Sequence, residues 1–247
     1  MLSTWAPWWR FGRARDAVPV ELAKEAFGDL AGLWKLSNAT MRMSARAGQQ
    51  WFTLLLLAGS YMEWGSGGST VLASWRAVQH GMLPLRIDSV DSSAAWHHQL
   101  ISKNPVLAEA EAAGKLSFRP ADIGTVGEWG APAHWSMRPA TLQRKQAKGY
   151  VEKVNASRCC YDLVMVDGRF RVACMLHALR LAHRHTVVVV HDAPRYLQHP
   201  AVLRFYHVVF EVGELAALRP KEGAIKRAKA GNPHFLSFYN TLLLDSG

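Results

Sequence analysis

Apolar residues recur along this chain in two rhythms that take turns. A period near 3.6 marks residues 19–36 and 41–57 and returns over 70–80, 94–102, 106–113, 140–155 and 172–182. That spacing predicts helices with one face turned to a core. Between them lie short β-branched or continuously apolar runs at 61–64, 85–90, 116–121, 161–166 and 186–190, which predict strands. The unbroken run Val187-Val188-Val189-Val190 suits a strand covered on both faces, since neither side of it can meet water. Residues 202–205 end a further helix. Residues 206–212 and 215–219 then flank Gly213-Glu214 as a candidate antiparallel hairpin. Residues 124–139 are rich in Gly, Pro and Trp, which predicts a long loop.

Strands that alternate with helices must be joined by crossovers, so they pair in parallel and carry helices on both faces. The expected fold is α/β, a Rossmann-like three-layer sandwich whose mostly parallel sheet ends in a C-terminal antiparallel hairpin. Residues 1–57 read as an N-terminal tail and helical extension, 58–222 as the Rossmann-like domain and 223–247 as a C-terminal extension. In such sheets ligands bind beyond the carboxyl ends of the strands, near the switch in strand order.

Composition narrows the partners. A chain of 247 residues, 49% apolar, can bury a full core. Its formal net charge of +10 is scattered, and the densest run, 221–229, is interrupted by Glu222. With no zinc-finger spacing and no RNP-type aromatic motif, a nucleic-acid partner is not expected, while an acidic small ligand stays open. Three cysteines, two of them the adjacent Cys159 and Cys160, make a poor disulfide framework and fit a reducing compartment. The longest strongly apolar run, 52–58, is far short of the roughly 20 residues that span a bilayer, so a cytoplasmic location is expected. The N-terminus interleaves Trp5, Trp8, Trp9 and Phe11 with Arg10, Arg13 and Arg15, and an organellar targeting segment is the alternative.

The sharpest chemical signal is Glu63-Trp64-Gly65-Ser66-Gly67-Gly68-Ser69-Thr70, a strand running through glycines into a helix. Glycines turn tightly and let a ligand approach the backbone, and the amides that open the helix favour acceptor atoms. Thr70 stands where a dinucleotide fingerprint has its third glycine. Glu63 would repel a pyrophosphate and suits a cofactor with positive charge and no phosphate. Asp91, at the tip of the next strand, can accept ribose hydroxyls or serve a helix start with Ser92 and Ser93. Asp122, after the third strand, can meet an adenine amino group or close a turn. The fourth strand delivers Asp167, with Arg169 and Arg171 behind it, and the fifth delivers His191 and Asp192. Together these could form a general base tuned by a carboxylate, a divalent-metal site, or a structural network with the arginines. The pair His97-His98 reads as polar surface. Trp129, His134 and Trp135 in the long loop read as a lid or as anchors.

These motifs resemble the class I S-adenosylmethionine-dependent methyltransferase superfamily over residues 61–221. The resemblance implies that Glu63, Gly65, Gly67, Ser69 and Thr70 surround the methionine part of the cofactor, with Ser66 and Gly68 also in the cofactor-binding turn. It also implies that Asp91 holds the ribose, that Asp122 lies near the adenine, and that Asp167 occupies a position often used for catalysis. Asp167, Arg169, His191 and Asp192 then form the candidate catalytic set, and the acceptor is a sugar or small molecule, with an acidic one as an option. The strings Val166-Asp167-Gly168-Arg169-Phe170-Arg171 and Val190-His191-Asp192 look more narrowly like a methyltransferase-like group that is loosely similar to plant polysaccharide O-methyltransferases. Metal-dependent O-methyltransferases end the fourth strand in Asp and the fifth in Asp-Asn. The departure at His191-Asp192 leaves a divalent metal open and uncommitted. Gly68 beside Gly67 also departs from the alternating pattern. Two other readings stay open: a nicotinamide-dependent oxidoreductase and a non-catalytic binding module.

Overall fold

The computed structural model describes residues 42–79 and 84–243. The expected helix at 19–36, the N-terminal basic aromatic segment, and the ends of two other expected helices at Met41 and His80 lie outside the described residues. Within them the chain runs α1 (Ala45–Leu57), β1 (Ser60–Trp64), α2 (Gly68–Val78), β2 (Arg86–Asp91), α3 (Ala94–Lys103), α4 (Pro105–Ala112) and β3 (Leu116–Pro120). It continues through α5 (Ala140–Val151), β4 (Tyr161–Val166), α6 (Arg171–Leu181), β5 (Ala182–His191), α7 (Pro200–Phe205), β6 (Tyr206–Val212), β7 (Leu215–Pro220), α8 (Glu222–Lys229) and α9 (Pro233–Leu242). No helix among the described residues is long and apolar enough to cross a membrane.

The strands form one seven-stranded sheet in the order β3-β2-β1-β4-β5-β7-β6. Pairing is parallel from β3 to β5 and antiparallel from β5 through β7 to β6. The fold is the expected α/β Rossmann-like sandwich, with the last strand inserted beside β5. The strand order reverses between β1 and β4, so the tips of those two strands flank the crevice where a ligand belongs.

Side-chain alternation divides the core into two layers. Met62, Trp64, Val164, Val166, Val188 and Val190 point to one face with α5, α6, α8 and α9. Tyr61, Ile87, Leu163, Met165, Val187 and Val189 point to the other with α1, α2 and α4. The valine run of β5 therefore feeds both layers, and each fully buried valine contributes roughly 1.5–3 kcal/mol. A charge placed at Val189 would break this packing on the α1 side.

Three expectations need correcting. The strand expected at 186–190 begins at Ala182 and carries an irregularity where Thr186 donates to the Tyr161 carbonyl at 2.6 Å. The hydroxyl offers a local partner that an apolar pattern does not reveal. His97 is not surface: it is buried, stacked on Phe118 and bonded to Glu111 at 2.8 Å. The sulfurs of Cys159 and Cys160, expected to make a poor disulfide framework, are joined to each other.

After the sheet, α8 and α9 follow one another and pack back on it. Asn232 caps α9 through its side-chain oxygen, and Pro233 at the first helical position adds a preset φ. Phe235 and Tyr239 of α9 enter the same core as α6.

Candidate functional site

The tip of β1 is shaped by close backbone contact. Gly65 turns at φ +98° and donates its amide to the Val90 carbonyl at 2.8 Å. A Cβ at Gly65 would lie 2.7 Å from the Gly168 amide, and one at Gly168 would lie 2.9 Å from the Gly65 amide and 2.0 Å from the Tyr150 hydroxyl. The loops after β1 and β4 therefore meet through two glycines with no room for a side chain. Gly67 is the opposite case. Its backbone is extended, and a Cβ there would meet nothing within 4 Å. Neither strain nor packing inside the protein calls for a glycine at 67.

Glu63 sits beneath this turn and is fully buried. Its carboxylate accepts from the hydroxyls of Tyr61 (2.8 Å), Ser69 (2.7 Å), Ser89 (2.7 Å) and Thr70. Burial raises its pKa, and the four hydroxyl bonds pull the other way. Thr70 also accepts the Gly67 amide at 2.8 Å, so the chain Glu63–Thr70–Gly67 fixes the turn from below. α2 begins at Gly68, two residues before the helix expected from Thr70, because the Gly67 amide is already satisfied by the Thr70 hydroxyl. Glu63 itself does not reach the crevice surface.

Asp91 closes the neighbouring side. Its two oxygens accept the Ser66 amide and the Ser93 amide, each at 2.9 Å. Ser66 bonds the Ser89 hydroxyl at 2.7 Å, and its carbonyl accepts the Trp96 indole at 2.9 Å. Ser93, not Asp91, caps α3 by accepting the Trp96 amide. Asp91 is half-buried, and burial raises its pKa against its backbone hydrogen bonds. Each of its oxygens keeps a second lone pair for a ligand. Asp122 stands apart from this group: it is exposed and accepts the Gly124 amide at 2.7 Å, a turn bond.

Across the crevice the structure brings Asp167, His191 and Asp192 together around Arg171. His191 Nδ1 lies 2.9 Å from Asp167 Oδ1. The guanidinium of Arg171 bonds Asp192 Oδ2 at 3.0 Å and lies 3.3 Å from Asp167 Oδ1. It also donates to the carbonyls of Gly168 (3.0 Å), Asp167 (3.1 Å) and His191. Arg171 is buried and its donors are all engaged, so it ties the tips of β4 and β5 together. This guanidinium takes the place that a cation shared by the two aspartates would need. Among the described residues no group of three or more His, Cys, Asp or Glu is arranged to hold a metal.

With Nδ1 facing a carboxylate, the ring proton of neutral His191 belongs on Nδ1 and the lone pair on Nε2. Nε2 is buried and has no protein partner. Burial opposes protonation of His191, but the hydrogen bond and charge of Asp167, with the charge of Asp192, outweigh it, and the pKa is raised. Arg169 differs from Arg171. Its amide meets the Tyr150 hydroxyl at 3.3 Å, and its Nε is buried with no acceptor.

The loop at 124–139 spans this edge. Gly130 abuts the Ser92 hydroxyl, and Trp135 packs on Phe170 with ring centroids 5.1 Å apart. Arg138 clasps the loop through the carbonyls of Thr125 and Ala133 and the Gln146 side chain. Trp135 is thus an anchor, while Trp129 at the loop tip is exposed and stacks under Arg42 at 4.3 Å. Sequence reasoning missed Tyr150, Ser89 and Trp96. Their only signal is position, on helix and strand faces whose contacts depend on the fold.

One comparison adds to this geometry. The chain is similar to the crystal structure of a methyltransferase-like protein from Silicibacter pomeroyi DSS-3. Sequence identity is 26%, the match covers 71% of this chain and 89% of that one, and the TM-score is 0.52. No protein-family model matches the chain, and no curated protein matches it. The likeness supports a methyltransferase fold, and β7 lies where that fold places its antiparallel last strand.

Proposed function

We propose that this chain is an S-adenosylmethionine-dependent methyltransferase that acts on a hydroxyl group of a sugar or other small-molecule acceptor. The observation that carries the reading is Gly67, a glycine in the turn with open space above it and no internal reason to be a glycine. A ligand lying on that backbone would supply the reason. The surroundings fit the cofactor in charge as well. Glu63, Asp91 and Asp167 crowd this edge with carboxylates, which disfavours a pyrophosphate and favours a cationic group. The backbone of Gly65–Gly68 would hold the amino-acid part, and the spare lone pairs of Asp91 would hold the ribose hydroxyls. Asp122 could at most border the adenine.

The bound cofactor supplies an electrophilic methyl group. The chain supplies a base. His191 donates Nδ1–H to Asp167 and presents the Nε2 lone pair to the acceptor hydroxyl. As that proton moves to Nε2, Asp167 and Asp192 stabilise the charge that develops on the ring. Arg171 holds both carboxylates and the His191 backbone still, so the ring does not reorganise during the step. No metal is required for this proton transfer.

Calorimetry with S-adenosylhomocysteine, and labelled methyl transfer to panels of neutral sugars, uronic acids and phenols, test the reading. Micromolar binding with transfer to at least one panel is expected. Binding of a nicotinamide dinucleotide with no binding of S-adenosylhomocysteine would favour an oxidoreductase instead.

A further inference from the structure

Two arginines that are next-but-one neighbours in the chain differ sharply in what they touch. Arg171 spends its guanidinium on three carbonyls and two carboxylates. Arg169 leaves the loop between β4 and α6 with a buried Nε that meets no acceptor. A guanidinium is charged at every physiological pH. To enclose part of it without a partner is costly unless something else supplies one. Its position narrows what that could be. Gly168, just before it, is pressed against Gly65 of the cofactor-side turn, and Asp167 just before that carries His191. Tyr150, whose hydroxyl accepts the Arg169 amide, also lies within reach of the Asp91 charge. Arg169 therefore stands at the junction of the two halves of the crevice.

We propose that Arg169 is the carboxylate receptor of this site. The planar fork of a guanidinium matches a carboxylate in two parallel hydrogen bonds, and the nearby Asp167 and Asp192 are already committed to His191 and Arg171. The proposal rests on the methyltransferase reading for the identity of one ligand. The carboxylate has two sources in that reading, the amino-acid end of the cofactor or an acidic acceptor such as a uronic acid.

The test compares wild type with Arg169→Gln and Arg169→Lys by calorimetry, after circular dichroism and melting show that each variant is folded. Two ligand pairs serve as probes. S-adenosylhomocysteine carries the amino-acid carboxylate that 5′-methylthioadenosine lacks, and galacturonate carries one that galactose lacks. If the cofactor is the source, Arg169→Gln weakens S-adenosylhomocysteine about tenfold or more and leaves methylthioadenosine unchanged. If the acceptor is the source, the preference for galacturonate over galactose disappears while both nucleosides bind as before. Arg169→Lys should restore part of either loss, because charge returns without the fork. Unchanged discrimination within both pairs overturns the proposal. If wild type binds neither nucleoside, the methyltransferase reading fails separately, and the sugar pair still decides the role of Arg169.

Discussion

The two sides of the crevice hold similar groups and use them differently. On the β1–β2 side, Glu63 meets four hydroxyls, and Asp91 meets two backbone amides. Nearly every polar atom there is spent on holding the turn in shape. On the β4–β5 side, Arg171 does the holding, and two buried nitrogens, Nε2 of His191 and Nε of Arg169, are left without protein partners. Buried polar groups in folded proteins are almost always satisfied. The side tied mainly by its own hydrogen bonds is a frame on which a cofactor can rest, and the side whose tip leaves His191 Nε2 and Arg169 Nε unpartnered is where the chemistry would take place.

That contrast predicts where a small change destroys activity without harming the fold. His191→Asn keeps a polar side chain near Asp167 but removes the lone pair at Nε2. Turnover should fall by about 100- to 10,000-fold, while the affinity for S-adenosylhomocysteine stays within about twofold. Steady-state methyl transfer and calorimetry on the same preparation check it. A variant that keeps most of its turnover would take the base away from His191.

The frame should fail in the opposite way, and the two glycines that differ most make the comparison sharp. In Gly168→Ala the new methyl would lie 2.0 Å from the Tyr150 hydroxyl and 3.0 Å from the Trp64 carbonyl carbon. The strand tips would have to separate, at a cost of about 3 kcal/mol, and melting should fall by roughly 6–12 °C. Gly67→Ala meets nothing in the protein. Its stability should stay within about 1 kcal/mol of wild type, yet cofactor binding should weaken at least as much as in any other glycine variant of the turn. Differential scanning calorimetry and titration separate the two. Equal melting losses would mean that Gly67 is structural after all.

Much of this arrangement can be read from the sequence, and the part that cannot has a common cause. The valine run at 187–190 reads as a strand buried on both faces because burial of alternate residues on opposite faces leaves no polar position. Gly213-Glu214 between two apolar runs reads as a hairpin for an equally local reason. The insertion of β7 next to β5 does not follow from local pattern, because it depends on which edge of the sheet the returning strand meets. The same holds within the site. The tips of β1, β2, β4 and β5 can be placed by counting strands, so Glu63, Asp91, Asp167 and His191 are legible as neighbours of one edge. Which acid faces the crevice is not legible. Glu63 turns inward because Ser69, Thr70 and Ser89 surround it, and Arg171 rather than Arg169 is the structural partner because α6 begins at Arg171 and carries it between the aspartates.

A milder test of the frame is the carboxylate beneath it. In Glu63→Ala four buried hydroxyls lose their acceptor at once, and a loss of about 2–3 kcal/mol is expected. Glu63→Gln keeps one oxygen, and the hydroxyls can turn to accept from the new amide. Because burial raises the pKa of Glu63, the charge itself is a cost at neutral pH that Gln does not carry. Glu63→Gln should therefore lie within about 1 kcal/mol of wild type at pH 7 in chemical denaturation. Equal damage from both variants would show that the negative charge matters beyond its hydrogen bonds.

The smallest expected effect lies in the pH dependence of the working side. His191 is surrounded by Asp167, Asp192 and Arg171, with Glu214 nearby, and the net result of burial and these charges is a raised pKa. The base is active when neutral, so kcat/KM in the wild type should climb through a midpoint above the ordinary value of 6.5. Asp167→Asn removes the largest raising influence. The midpoint should move down, because the hydrogen bond and charge of Asp167 are what raise it against burial, and the plateau should fall as well, because Asn can no longer stabilise the charged ring. Stability carries the same sign. A proton held more tightly in the folded state stabilises fully below the unfolded pKa, and that contribution is lost as pH rises through the folded one. The melting difference between wild type and Asp167→Asn should therefore be larger at pH 5.5 than at pH 8.5. A part independent of pH should remain, from the contact between Asp167 and Arg171. If the midpoint stayed where it was, the group that titrates would not be the one bonded to Asp167, and the β4–β5 side would have to be read as frame like its counterpart.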